Sequence, residues 1–255
     1  MNDKKAFHIE RKQLAAKQQS DSKFRDLSNE WLNRSVKYKY SYNFDWLGLP
    51  IIQYPQDMIA MQQIIFLTKP DLIIETGVAR GGSLIFYSSL LELNKLCGGP
   101  PDGKVIGVDI DIRPHNREAI QQHPLAKNIE LISGSSTSGD VVSQITRFTE
   151  GAKTVLVCLD SNHTHDHVLD ELRAYSPLVS SGSYIVVFDT LIEDMEENTY
   201  PDRLWGKSNN PMTAVHQFLD ELKKAGNEQM GFEIDTEIDA SLMISVAKNG
   251  YLRRI

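Results

Sequence analysis

The stretch Ile74–Glu75–Thr76–Gly77–Val78–Ala79–Arg80–Gly81–Gly82–Ser83 decides how this chain folds. An apolar run beginning at Leu72 reaches Glu75 and then breaks at glycine. Gly77 permits a tight turn, and Gly81 and Gly82 let the backbone come close to a ligand. A helical pattern follows. Strand, glycine-rich turn and helix in that order open a βαβ unit. The spacing is not G-x-G-x-x-G, because Ala79 holds the middle glycine position; it fits E-x-G-x-(G/A)-x-G. The phosphate-binding spacing of nicotinamide-dependent oxidoreductases is therefore absent. An acid at the strand end suits a ligand with an ammonium group and repels a diphosphate.

Outward from this turn, the same pattern repeats. Short apolar runs at Leu72–Glu75, Val105–Asp109, Ile129–Ile132, Val155–Asp160 and Tyr184–Asp189 are each followed by a turn signal and a longer helical pattern. Such runs read as strands buried on both faces of a mostly parallel sheet. Gln56 to Leu67 reads as a helix stopped by Pro70, and Thr213 to Lys224 as the final helix, started by Asn210–Pro211 or Ser208. Phe232–Ile238 and Leu242–Ala247 are separated by only Asp239–Ala240–Ser241, which predicts a closing antiparallel hairpin. Gly98 to Gly103 is a breaker-rich loop. The fold class is α/β, with residues 50–255 as one domain.

Residues 1–49 read differently. They are polar and charged, with an incomplete helical stripe of Leu14, Phe24, Leu27, Trp31 and Leu32. One or two helices packed on, or swapped onto, the main body are expected. The cluster Tyr38, Tyr40, Tyr42, Phe44 and Trp46 is assigned to packing rather than to ligand contact. The 255-residue chain is 41% hydrophobic, which excludes global disorder, and carries a net charge of -7, which argues against a nucleic-acid partner. Two cysteines exclude a disulfide scaffold, and Cys158 reads as a core thiol. No apolar stretch approaches the ~18 residues of a membrane span, and the N-terminus lacks the apolar run of a secretory signal. The expectation is a cytoplasmic protein without a membrane span, self-associating as a homo-oligomer.

The candidate chemistry lies at the strand ends. In open α/β sheets the ligand crevice sits outside the carboxyl ends of the strands. Four of the five runs end in an acid: Glu75, Asp109, Asp160 and Asp189; the fifth runs into Gly134–Ser135–Ser136. Asp109 is placed to accept both hydroxyls of a ribose, whereas Asp111 reads as solvent-exposed. The densest polar cluster is Asp160–Ser161–Asn162–His163–Thr164–His165–Asp166–His167. In one reading Asp160 is a hard ligand for Mg²⁺, completed by Asp189, with His163 as general base. In the other, His163, His165 and His167 serve a metallo-hydrolase; but the run is one residue short of H-x-H-x-D-H, and zinc needs further ligands. His165 and His167 are expected to face water. Trp205 to Pro211 forms a polar loop suited either to contact an acceptor or simply to start a helix.

Taken together, the Glu75–Ser83 turn, Asp160–Ser161–Asn162–His163, Asp189–Thr190 and Asn209–Asn210–Pro211 resemble the cephalosporin hydroxylase family. That family has the Rossmann-like fold of class I S-adenosylmethionine-dependent methyltransferases. The resemblance covers residues 50 to 255. It implies a seven-stranded sheet with an antiparallel end and O-methylation of a hydroxyl on a small molecule or glycan. It implies that Gly77, Gly81, Gly82 and Ser83 hold the methionine part of S-adenosylmethionine, with Glu75 near its amino group. Asp109 would bind the ribose, Ser135 and Ser136 would lie by the adenine, and Asp160 and Asp189 would hold Mg²⁺. His163 would stand where catechol-type enzymes place a lysine base. The chain departs from the family at Phe188, where a glutamate is usual. That departure weakens the metal site and raises the alternative of an inactive partner that keeps only the fold.

Overall fold

A computed structural model describes residues 3–226 and 231–255. Residues 1–2 of the N-terminal segment, and 227–230 between the final long helix and the strand after it, lie outside the described residues. Two helices come first, α1 (Asp3–Ser20) and α2 (Ser22–Lys37), followed by the small hairpin of β1 (Phe44–Trp46) and β2 (Leu49–Ile51). Then α3 (Pro55–Thr68), β3 (Leu72–Thr76), α4 (Gly82–Leu96), β4 (Lys104–Asp109), α5 (Pro114–Gln122) and β5 (Ile129–Ser133) alternate. They continue as α6 (Gly139–Thr149), β6 (Val155–Leu159), α7 (His165–Tyr175), β7 (Tyr184–Val187) and α8 (Pro211–Ala225). The chain closes with β8 (Phe232–Ile234), α9 (Thr236–Leu242) and β9 (Tyr251–Arg254).

The main sheet has seven strands in the order β5-β4-β3-β6-β7-β9-β8. From β5 across to β7 the pairs are parallel; β9 runs antiparallel to both β7 and β8. The chain builds outward from β3 through β4 to β5 and returns to β6 on the other side of β3. That reversal opens a crevice beyond the carboxyl ends of β3 and β6.

Alternation within the strands sets the two faces. Ile73, Leu156, Cys158 and Val186 pack with α3, α4 and the hairpin, while Ile74, Val157, Leu159 and Ile185 pack with α6, α7 and α8. Burial on both faces is why the strands carry continuous apolar runs. Asn210 caps α8 through Thr213, and Pro211 fills its first position, where no amide hydrogen is needed.

The antiparallel end differs from its sequence expectation in the identity of the last strand. Leu242–Ala247 is not a strand: α9 follows β8, and β9 begins only at Tyr251. The cause is a buried carboxylate. Asp57 of α3, fully buried, accepts from Ser245 Oγ (2.6 Å), Val246 N (3.0 Å) and Tyr251 Oη (2.7 Å). The segment therefore spends its backbone and hydroxyl donors on Asp57 instead of on a neighbouring strand.

The first helix is loosely attached, whereas α2 buries Leu32 and Val36 in the core. Ala15 is the only buried residue of α1, and Phe7, Leu14, Phe24 and Leu27 are exposed. Lys12 pairs with Glu237, and Gln18 donates to the Ala240 carbonyl, so α1 lies against α9. Tyr40 packs edge-on against Trp31, Phe44 and Tyr54, as a packing role requires. Among the described residues no helix is long and apolar enough to cross a membrane.

Candidate active site

A cavity of about 880 Å³ opens over the strand ends. Gly77, Asp109, Ser135, Ser136, Asp160, His163 and Asp189 all line it, so most of the sequence-selected residues meet in one place. Glu75, Gly81, Gly82 and Ser83 are not on its wall. Gly81 and Gly82 face protein: an added Cβ would lie 2.3 Å from Ile120 at one and 2.2 Å from the Pro50 carbonyl at the other. Their role is to dock α4 against α5 and the hairpin. Gly77 works at the site itself, with φ at +92° and its Cα so close to the Asp160 peptide that a Cβ would sit 2.0 Å from the carbonyl oxygen. The two central strands β3 and β6 are thereby locked together at the crevice.

Glu75 is fully buried beneath this turn, where Ser83 Oγ donates to it (2.6 Å). Its other oxygen has no hydrogen-bond partner. Burial pushes its carboxyl up to about 8, against the lowering effect of the Ser83 hydrogen bond. Asp109 holds the turn from the other side: Oδ2 accepts from Val78 N (2.9 Å) and Ala79 N (3.3 Å), and Oδ1 from Asp111 N (3.0 Å). Asp111 itself is exposed, as expected. Ala79 takes a left-handed conformation (φ +44°) at the position where the dinucleotide motif has glycine.

The β6 and β7 ends supply the reactive cluster. Asp160, His163 and Asp189 place one ligand-capable atom each within 4.8 Å of one another. His163 Nδ1 lies 2.8 Å from Asp189 Oδ2, at an angle too poor for a hydrogen bond, which leaves the nitrogen buried without a partner. Asp189 itself sits in the left-handed region (φ +55°), a strained conformation that turns its side chain toward this cluster. Burial raises the Asp160 carboxyl well above the usual carboxylate range, and the negative charges of Asp189, Glu75 and Glu171 add to that. A divalent cation would relieve this congestion, and oxygen donors are what Mg²⁺ takes, so the residues present fit such an ion. Phe188 is buried and contributes no donor.

The histidine run does not converge. His165 faces α8, with Nδ1 2.7 Å from Thr213 Oγ1 and Nε2 3.0 Å from Gln217 Oε1. His167 reaches Ser136 and Ser161. Both are half-buried and held by protein partners rather than simply facing water, and only His163 joins the acids, which removes the geometry a three-histidine hydrolase needs. Helical spacing separates these side chains around α7, a consequence of the 3.6-residue turn that the linear motif hides.

Trp205, from the loop expected either to contact an acceptor or to start a helix, lines the cavity near His163, as does Tyr42, which the sequence assigns to packing; Tyr200 and Arg203 join them and were not chosen from the sequence. Trp205 lies 5.7 Å from the His163 ring and 5.3 Å from that of Tyr200. The loop that carries it is tied down: Glu193 accepts from Ser208 N and Asn210 Nδ2, and Asn209 Oδ1 accepts from His165 N. The aromatic cluster before β1 thus divides, with Tyr40 and Tyr42 reaching the cavity wall.

Comparison with known proteins agrees with this geometry. The family described as Rhamnosyl O-methyltransferase/CmcI matches residues 38–255. A rhamnosyl O-methyltransferase of Mycobacterium bovis (strain BCG / Pasteur 1173P2) is 28% identical over 210 residues, covering 82% of this chain and 77% of that protein. A solved apo-structure of CmcI superposes with a TM-score of 0.55 at 20% identity, over 84% of this chain and 77% of that one. A CmcI structure with Mg and S-adenosylmethionine gives 0.53, with the same identity and the same two coverages. From residue 38 to its end, this chain belongs to the rhamnosyl O-methyltransferase/CmcI family.

Proposed function

We propose that the cavity transfers a methyl group from S-adenosylmethionine to a hydroxyl of a sugar or related natural product, with His163 as base. The observation that carries this reading is the convergence of Asp109, Asp160, His163 and Asp189 on one cavity above the β3–β6 reversal. Asp109 and Asp189, with Asp160 ready to ionise once a cation is bound beside it, give that cavity the acidic character expected of a site for a cationic methyl donor. The relatives' names, rhamnosyl O-methyltransferase, support a sugar hydroxyl as acceptor, and the CmcI structure with Mg and S-adenosylmethionine supports the cofactors.

The cofactor would supply an electrophilic methyl group, and Mg²⁺ would polarise the acceptor hydroxyl. Asp109 takes the ribose hydroxyls, exchanging its bonds to the Val78 and Ala79 amides in part. Gly77 lets the β3 turn close against the Asp160 peptide and lines the cavity where the methionine part would lie, and Ser135 and Ser136 would flank the adenine. Glu75 and Ser83 act from beneath the turn and fix its shape. Asp160 and Asp189 hold the metal. His163 turns Nδ1 toward Asp189, which leaves Nε2 to take the hydroxyl proton as the oxygen attacks. Trp205, beside the His163 ring, and Tyr200 against it supply an aromatic wall on which a sugar ring would pack. Residues 50–255 form the catalytic domain, residues 1–49 pack on it and lend Tyr40 and Tyr42 to the cavity wall, and the apolar side chains exposed on α1 and α2 support self-association.

The test is direct. Purified protein with S-adenosylmethionine and a rhamnoside acceptor should yield an acceptor heavier by one methylene, seen by mass spectrometry, and chelation should lower the rate. Micromolar cofactor binding without turnover on a broad acceptor panel would instead favour the inactive-partner reading. Absence of cofactor binding would remove the assignment.

A further inference from the structure

One face of α7 carries His167, Glu171 and Tyr175, spaced four residues apart, and all three point under the cavity. They tie together two loops that the sheet order keeps apart, since β4 and β3 lie between β5 and β6. Tyr175 Oη donates to the Ser136 carbonyl (2.8 Å). Ser161 Oγ donates to Glu171 Oε1 (2.6 Å). His167 Nε2 stands 3.1 Å from Ser136 Oγ, 3.1 Å from Ser161 Oγ and 3.4 Å from Glu171 Oε1.

The charges in this network are informative. Glu171 is fully buried, and its Oε2 has no partner. A buried carboxylate requires a counter-charge, and the one cation-forming group paired with it among the described residues is His167. The same contact raises the His167 imidazole above its ordinary value. Every contact of that ring uses Nε2. Nδ1 has no hydrogen-bond partner among the described residues, and His167 is 22% exposed on the wall of the cavity, beside Ser135 and Ser136. A paired imidazolium thus keeps one N–H uncommitted among the described residues, on a side chain that lines the cavity with Ser135 and Ser136.

We propose that His167 is an adenine-recognition residue, donating from Nδ1–H to a ring nitrogen of the cofactor's adenine, with Glu171 and Ser161 holding the imidazole in place. The proposal rests on the cofactor reading above. If Asp109 takes the ribose, the base lies farther toward β5, where Ser135, Ser136 and His167 meet. Adenine presents ring nitrogens there only as acceptors, so a fixed N–H donor complements it. A triad-like nucleophilic role for Ser136 does not arise, because the serine and the carboxylate share the same imidazole nitrogen.

The experiment is calorimetric titration of the unmodified protein with S-adenosylhomocysteine and its 1-deaza, 3-deaza and 7-deaza analogues. One analogue should bind roughly 10- to 100-fold more weakly, as loss of a charge-assisted hydrogen bond requires, while the other two stay near the parent. Equal affinities for all four would overturn the proposal. His167→Ala should weaken the parent by a similar factor and no longer separate it from the sensitive analogue. A uniform loss across all four ligands would assign His167 to scaffolding and also overturn it. If the variant does not fold, the analogue series on the unmodified protein still decides. No binding of S-adenosylhomocysteine itself would be a different result, removing the cofactor reading beneath both.

Discussion

At the β4–β5 end of the cavity, the residues selected from the sequence sit within three positions of a strand end: Gly77 after β3, Asp109 at the end of β4, Ser135 and Ser136 after β5; only His167 comes there from a helix. At the β7 end the wall comes from segments scattered along the chain: Tyr40 and Tyr42 before β1, Leu191 to Met195, Tyr200 to Trp205, and Val246 of the C-terminal loop. The first end is built from strand termini and short turns, which a sequence displays in order. The second is built by tertiary ties, such as Glu193 to Asn210 and Asp57 to Val246, which join residues 17 and 189 positions apart. A common cofactor needs the first kind of construction, and a particular acceptor needs the second.

The largest expected effect separates the two ends outright. His163→Ala should lower kcat by about 10²- to 10⁴-fold, the usual worth of a positioned general base. Affinity for S-adenosylhomocysteine should stay within about threefold, because His163 lies on the acceptor side. A matching loss of cofactor affinity would show that the two ends are not independent. Gly77→Ala attacks the opposite end. Its Cβ would overlap the Asp160 carbonyl at 2.0 Å, in a backbone region that alanine resists. Cofactor affinity should fall more than tenfold by calorimetry; unchanged affinity would place the methionine part elsewhere.

Asp57→Ala probes the tertiary ties. It strands the donors Ser245 Oγ, Val246 N and Tyr251 Oη in a buried site. Stranded donors cost about 1–3 kcal/mol each, with some relief from relaxation, so a loss of about 3 kcal/mol in urea unfolding is expected. The same loop holds the crevice, since Thr190 Oγ1 donates to the Lys248 carbonyl (2.7 Å) directly after Asp189. Acceptor KM should therefore rise while cofactor affinity holds. A change confined to stability would detach the C-terminal loop from the acceptor end.

This contrast also explains what the sequence made legible. The acid-terminated strands, the glycine turn and the antiparallel edge follow from local pattern, and the five parallel strands fall where their apolar runs lie. The last strand escaped because Leu242–Ala247 is apolar enough for a strand yet is captured by Asp57, 189 positions before Val246. Gly81 and Gly82 looked like ligand glycines because a turn cannot reveal what approaches it; Ile120 and Pro50 do. His165 and His167 looked solvent-facing because a polar run does not disclose which helix face meets α8 and which meets Ser136. Trp205 carried one usable signal, its place in a Gly–Lys–Ser–Asn–Asn–Pro context that must start a helix near the strand ends.

The finest test concerns Glu75, the one strand-end acid withdrawn from the cavity. Its carboxyl is pushed up to about 8 in the fold, against an ordinary value of 4.5. Below the ordinary value it is protonated in both folded and unfolded chains, and pH has no leverage through it. Between the two values the unfolded chain releases the proton while the fold retains it. Stability therefore declines as pH rises through this window, by at most about 1.4 kcal/mol per pH unit, and the decline levels off above 8. Glu75→Gln has no such proton, so its unfolding free energy should fall less steeply between pH 5 and 8 than that of the unmodified protein, and the slope that remains belongs to Asp57, Asp160 and Asp239, whose carboxyls burial also raises. Saturating S-adenosylmethionine should flatten the unmodified protein's slope if its ammonium group reaches Glu75 through the turn, because the bound cation would favour the ionised carboxylate. An unchanged slope would show that the ammonium does not reach Glu75, and would leave Glu75 as a strut of the glycine turn shared with Ser83.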